Sequence, residues 1–132
     1  MVGYQHTGPI DCNVDVDTST LQGKTAIVTG GANGIGEGFV RALIAAGASV
    51  CIGDLNATAG TKLAAEFSGQ ATFVECNTTS WDDQTRLFRE AVAFSPTGKI
   101  HYVVANAGII RPDGVFSYAG MSKQCSTGPS IH

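Results

Sequence analysis

The sequence predicts an α/β fold, a parallel sheet of about four strands in the order 3-2-1-4 with flanking helices. Two observations carry the prediction. Between residues 21 and 108, short β-branched runs alternate with stretches whose apolar residues recur at helical spacing. A glycine-rich turn joins the first such run to the first helical stretch. Right-handed crossovers between parallel strands then leave few ways to wind four strands and three helices.

The first strand is KTAIVTG, residues 24–30, a buried-type run that ends in glycine. Residues 34–46 follow as a helix, with Ile35, Phe39, Val40, Leu43 and Ile44 on its apolar side and Gly47 placed to end it. Residues 48–54, ASVCIGD, form the second strand, and residues 56–67 a helix with Leu63, Ala64 and Phe67 on one side. ATFVEC, residues 71–76, is the third strand. Thr79 or Ser80 caps the third helix, with Asp82 or Asp83 completing a capping box, and its apolar side carries Leu87, Phe88, Ala91 and Val92. IHYVVA, residues 100–105, is the fourth strand. Residues 1–20 read as a polar leader, 21–108 as the folded unit and 109–132 as an irregular tail without periodicity.

Composition narrows the function classes. The 132 residues are 43% hydrophobic and 14% charged, which argues against disorder. Eight basic against eleven acidic residues leave no basic footprint for nucleic acid or an anionic membrane. No apolar run approaches the roughly 20 residues of a membrane span, and the start lacks a signal-peptide pattern. Cys12, Cys51, Cys76 and Cys125 stand far apart without a CxxC pair or a nearby His, so neither a disulfide framework nor a metal site is expected. These features lead to the expectation of a reduced, cytoplasmic protein.

TGGANGIG, residues 29–36, lies where the first strand passes into the first helix. Glycine there permits positive φ and lets the main chain approach a phosphate, while unpaired amides at the helix start favour an anion. The literal G-x-G-x-x-G spacing is absent; Gly30, Gly34 and Gly36 are spaced G-x3-G-x-G, and such a cluster alone also fits an ordinary strand-to-helix turn. Asp54 ends the second strand, twenty residues after Gly34, where a carboxylate can accept hydrogen bonds from both ribose hydroxyls of an adenosine. Alone it would be an unremarked polar residue leaving a strand. A 2′-phosphate would meet like charge there, so Asp54 favours NAD over NADP as cofactor.

With ANAG at residues 105–108, this combination resembles the short-chain dehydrogenase/reductase family over about residues 21 to 118. The resemblance implies a partial Rossmann fold and an NAD(P)-dependent oxidoreductase acting on alcohols or ketones. It further implies that Gly30, Asn33, Gly34, Ile35 and Gly36 line the pyrophosphate and that Asp54 and Leu55 hold the adenosine ribose. Asn106, Ala107 and Gly108 would flank the adenine side and stabilise the sheet. Asn77 stands where the family has an acidic residue that meets the adenine amino group; its amide oxygen can still accept that bond. Ala105 replaces the first Asn of the family's NNAG.

The family's chemistry rests on a tyrosine with a lysine four residues later, because a phenol of ordinary pKa near 10 needs a neighbouring cation to react as phenolate. No such pair exists here: Tyr4 is followed four residues on by Gly8, Tyr102 by Asn106 and Tyr118 by Ser122. Tyr118 and Lys123, five apart, would point about 140° from each other on a helix. No catalytic residue is therefore assigned, and the chain reads as a C-terminally truncated member that keeps the cofactor half. Two alternatives stay open: a non-catalytic module binding a nucleotide or a partner, and a truncated product without function. The fourth strand would be an exposed apolar edge, open to self-association.

Overall fold

The computed structural model describes residues 8, 9, 13 and 15–109; Tyr118 and nearly all of the expected tail lie outside the described residues. A short 3-10 turn, Ser19–Leu21, precedes β1 (Thr25–Thr29), α1 (Gly34–Ala45), β2 (Ser49–Asp54), α2 (Ala57–Glu66), β3 (Ala71–Glu75), α3 (Trp81–Phe94) and β4 (Tyr102–Ala105). The four strands form one parallel sheet in the order β3-β2-β1-β4, as the periodicity and crossover arguments predicted.

Strand alternation sends successive side chains to opposite faces, so the central strands are apolar throughout. Val28, Val50 and Ile52 meet Val40 and Ile44 of α1 and Leu63 of α2 on one face. Ile27, Cys51 and Val74 meet Leu87 and Ala91 of α3 on the other. Two helices thus cover one face and a single helix the other, concentrated over β1, β2 and β3. Small residues permit the close fit. A Cβ on Gly60 of α2 would collide with the Phe73 ring, and one on Gly53 would press into Leu87.

Asn56 caps α2, its side-chain oxygen accepting from the Ala59 N–H at 3.0 Å. Ser80 Oγ accepts from the Asp83 N–H at 3.3 Å at the start of α3. The reciprocal arm of the expected capping box is not made. Asp83 Oδ2 instead accepts from the Asn77 N–H at 2.9 Å, and the Ser80 N–H donates to the Asn77 carbonyl. The acidic residue has been recruited to hold the preceding loop.

Four residues of the predicted apolar helix faces are corrected by the structure. Ile35 and Phe39 of α1, and Phe88 and Val92 of α3, are exposed although they keep the expected spacing. Each lies off the line that faces the sheet, so Gly36, Val40 and Ile44 of α1, and Leu87 and Ala91 of α3, are the residues buried beneath their helices. At β4, Thr25 and His101 exchange two bonds: the His101 N–H donates to the Thr25 carbonyl, and His101 Nδ1 accepts from the Thr25 N–H at 3.0 Å. That histidine anchors the last strand to β1.

Candidate functional site

The carboxyl ends of β1, β2 and β4 open into a crevice of ≈ 370 Å³, within the range of about 300–1,000 Å³ typical of small-molecule sites. Its floor is the glycine turn. Gly30 has φ +65° and Gly34 φ +57°, the left-handed region that a side chain disfavours. A Cβ on Gly36 would collide with the Gly30 carbonyl oxygen and with Asn106 Nδ2, so the helix starts hard against the turn.

The N-terminus of α1 is unlike those of α2 and α3. Asn33 occupies its N-cap position but makes no side-chain capping bond. The amide donors of its first turn have no partner inside the helix, and Asn33, Gly34, Ile35 and Gly36 line the crevice. Donors and dipole together make this end suited to an anion.

Asp54 stands beside that turn. Its Oδ2 accepts from the Ala32 N–H at 3.0 Å and its Oδ1 from the Asn56 N–H at 2.9 Å. A carboxylate has about four acceptor sites, so two are used to fix its orientation and two remain for hydroxyl donors. Leu55 follows it along the wall, exposed.

On the other side of β1, Asn106 Nδ2 donates to the carbonyls of Thr29 and Gly30, both at 3.1 Å. The Ala107 N–H donates to Thr29 Oγ1 at 3.2 Å. These bonds tie the end of β4 to the glycine turn and place Asn106, Ala107 and Gly108 on the crevice wall.

Of the sequence-predicted site residues, Asn77 is the one that the crevice does not include. Its Oδ1 accepts from both the Thr79 N–H, at 3.0 Å, and Thr79 Oγ1, at 2.8 Å. The amide oxygen is thus engaged by the loop between β3 and α3. Sequence reasoning missed Cys76, Thr78 and Ile109, which do line the crevice. The Cys76 thiol is pushed up in pKa by burial, then by the nearby Asp83 carboxylate, so it is a neutral wall rather than a nucleophile.

The comparisons with known proteins agree with this geometry. A family model for the short chain dehydrogenases matches residues 24–124. The chain belongs to the short-chain dehydrogenase family. Within that family it is 40% identical over 100 residues to 5′-hydroxyaverantin dehydrogenase of Dothistroma septosporum, covering 73% of this chain and 33% of that protein. It is 41% identical over 95 residues to 3-beta-hydroxysteroid dehydrogenase of Comamonas testosteroni, covering 72% and 37%. The solved structure of 3-ketoacyl-(acyl-carrier-protein) reductase from Brucella melitensis, complexed with NADH, superposes with a TM-score of 0.64 at 31% identity, over 67% of this chain and 36% of that one. The chain thus spans about a third of the length of these relatives. Among the described residues, no helix is long and apolar enough to cross a membrane.

Proposed function

We propose that this chain binds a nicotinamide dinucleotide along the crevice, NAD in preference to NADP, and carries out no hydride transfer by itself. The observation that carries the reading is the pairing of an uncapped helix N-terminus, floored by Gly30 and Gly36, with a carboxylate at Asp54 that keeps two acceptor sites. Pyrophosphate oxygens would take the amides of α1, and ribose hydroxyls would donate to Asp54. Gly30, Asn33, Gly34, Ile35 and Gly36 would hold the first group, Asp54 and Leu55 the second, and Asn106, Ala107 and Gly108 the opposite wall.

The bound group would supply the hydride chemistry of alcohol and ketone oxidoreductases. This chain would bind and orient it, but its sequence has no tyrosine followed four residues later by lysine, so nothing here would move the substrate proton. The same absence leaves the substrate of any longer form to be chosen by residues outside this chain. We further place the protein in the cytoplasm, where buried thiols such as Cys51 and Cys76 stay reduced, and propose that the exposed β4 edge makes it self-associate.

Titration with NADH and with NADPH, followed by cofactor fluorescence, tests the dinucleotide reading. NADH is expected to bind about tenfold or more tightly than NADPH, and Asp54→Asn to narrow that gap. Equal affinity for both would overturn the cofactor preference, and no saturable binding of either would overturn the reading itself.

A further inference from the structure

The loop between β3 and α3 spends nearly all of its backbone donors on the chain itself. The Cys76 N–H donates to the Asp54 carbonyl at 2.9 Å, which joins the loop to the end of β2. The Asn77 N–H donates to Asp83 Oδ2, the Thr79 N–H to Asn77 Oδ1 and the Ser80 N–H to the Asn77 carbonyl. Thr78 is the exception. Among the described residues, neither its N–H nor its hydroxyl has a hydrogen-bond partner. Of residues 77–80, Thr78 is also the one that lines the crevice. Folded chains leave few partly buried donors unpaired, so a spare one on a crevice wall points to a ligand.

Both peptide planes beside Thr78 are fixed. The plane before it is held by the Ser80 N–H on the Asn77 carbonyl. A trans peptide then sends the Thr78 N–H the opposite way, away from Ser80. The plane after it is held at both ends, the Thr79 N–H by Asn77 Oδ1 and the Thr78 carbonyl by Gln84 Nε2 at 2.7 Å. Of these partners, Gln84 is the one that comes from α3, a helix seated on the sheet through Leu87 and Ala91. Ordering a glutamine side chain costs rotamer entropy comparable to what one neutral hydrogen bond returns, so the bond adds little stability. What it fixes is direction.

We propose that Gln84 is a positioning residue for recognition of the ligand's base. The inference deepens the dinucleotide reading above and rests on it. With pyrophosphate at the glycine turn after β1 and ribose at Asp54 after β2, the base continues toward the end of β3, the next strand in the sheet. There the Thr78 N–H donates to a ring nitrogen with a lone pair, and Thr78 Oγ1 accepts from an amino group beside it. Adenine offers that pair at N1 and its 6-amino group. Hypoxanthine does not: its N1 carries a proton, and two donors then meet. Gln84 keeps the Thr78 peptide turned so that this difference is felt.

Fluorescence titration with NADH and with its hypoxanthine analogue, alongside urea unfolding midpoints, tests the proposal. The protein should prefer NADH by about fivefold. Gln84→Glu keeps the side-chain length but offers the Thr78 carbonyl no donor. It should bring the ratio close to one without lowering the midpoint. Gln84→Lys, which restores a donor at similar reach, should keep the preference. A ratio unchanged in Gln84→Glu, or lost equally in Gln84→Lys, would overturn the positioning role and leave the dinucleotide reading standing. A lowered midpoint with equal loss of affinity for both cofactors would make Gln84 a purely structural residue, with the same consequence. Equal binding of the two cofactors by the unsubstituted chain would overturn base recognition at Thr78. No saturable binding of either would overturn the dinucleotide reading itself.

Discussion

Among the described residues, the β3 edge of the sheet is finished by polar side chains and the β4 edge is not. Over β3, α2 packs Gly60 against Phe73, and Arg41 of α1 reaches across to Glu66 while its guanidinium lies over the Phe67 ring at 5.3 Å. Beneath it, Arg86 bonds Asp83 and the Glu75 carbonyl. Charged side chains finish that side, so water meets polar groups. At β4, among the described residues, Val104 alone packs against the α1 cluster, and Tyr102 and Val103 meet water. The contrast locates the buried core over β2 and β1, and the exposed apolar side chains on the far side of β1.

Core truncation gives the largest test of that contrast. Leu87 is fully buried under α3 against Gly53, so Leu87→Ala should cost about 2–5 kcal/mol in urea unfolding of the dilute chain. Val103→Ala, in the half-exposed strand, should cost less than about 1 kcal/mol under the same conditions. Equal costs would mean that β4 is covered even in the isolated chain.

A smaller effect follows from pH. Burial, with lesser contributions from Glu90 and Cys76, pushes the Cys51 thiol from 9.0 up to about 12. In the folded chain it therefore keeps its proton across a window in which the unfolded thiol has lost it. Stability is full below pH 9 and falls as pH climbs toward 12, by about 1.4 kcal/mol per pH unit from this group at most. Cys51→Ala should flatten that alkaline decline, measured as chemical unfolding midpoints between the two limits. A decline of unchanged slope in the variant would show that Cys51 is reached by water in the native state, and that the centre of the sheet is as open as β4.

Arg41→Ala should have the smallest effect. Its two carboxylate partners are exposed, and exposed pairs contribute about 0.2–1 kcal/mol, shrinking further in salt. A loss well above that range would make the polar finish of the β3 side a structural clamp rather than a solvated surface.

The order of elements was legible because two periodicities, about 2 and about 3.6 residues, alternate cleanly and the crossover rule then orders the strands. Periodicity could not say whether an apolar helix face is covered. Phe39, Phe88 and Val92 obey the helical spacing, yet none of the described residues buries them. The places of the glycine turn and Asp54 were legible because they depend on backbone conformation and strand ends, which sequence position fixes. The local turn at Asn77 was legible in outline, since an Asn two residues before Thr79 can accept from its N–H and hydroxyl. Thr78 and Cys76 offered no such signal, since only the loop's path past the end of β3 brings them to the crevice.

The two bonds from Asn106 to Thr29 and Gly30 join residues 77 and 76 positions apart, whereas β1 and β2 pair across a far shorter loop. Closing the longer loop costs more chain entropy, and nothing rewards that closure until β4 has been added. Loop closure entropy alone therefore predicts that the glycine turn is fastened after β1 and β2 have paired, which amide exchange during refolding would check. As the chain leaves the ribosome, β1, β2 and β3 can assemble while the residues that complete the crevice are still being synthesised. The crevice is complete only once β4 and the turn after it have joined the sheet.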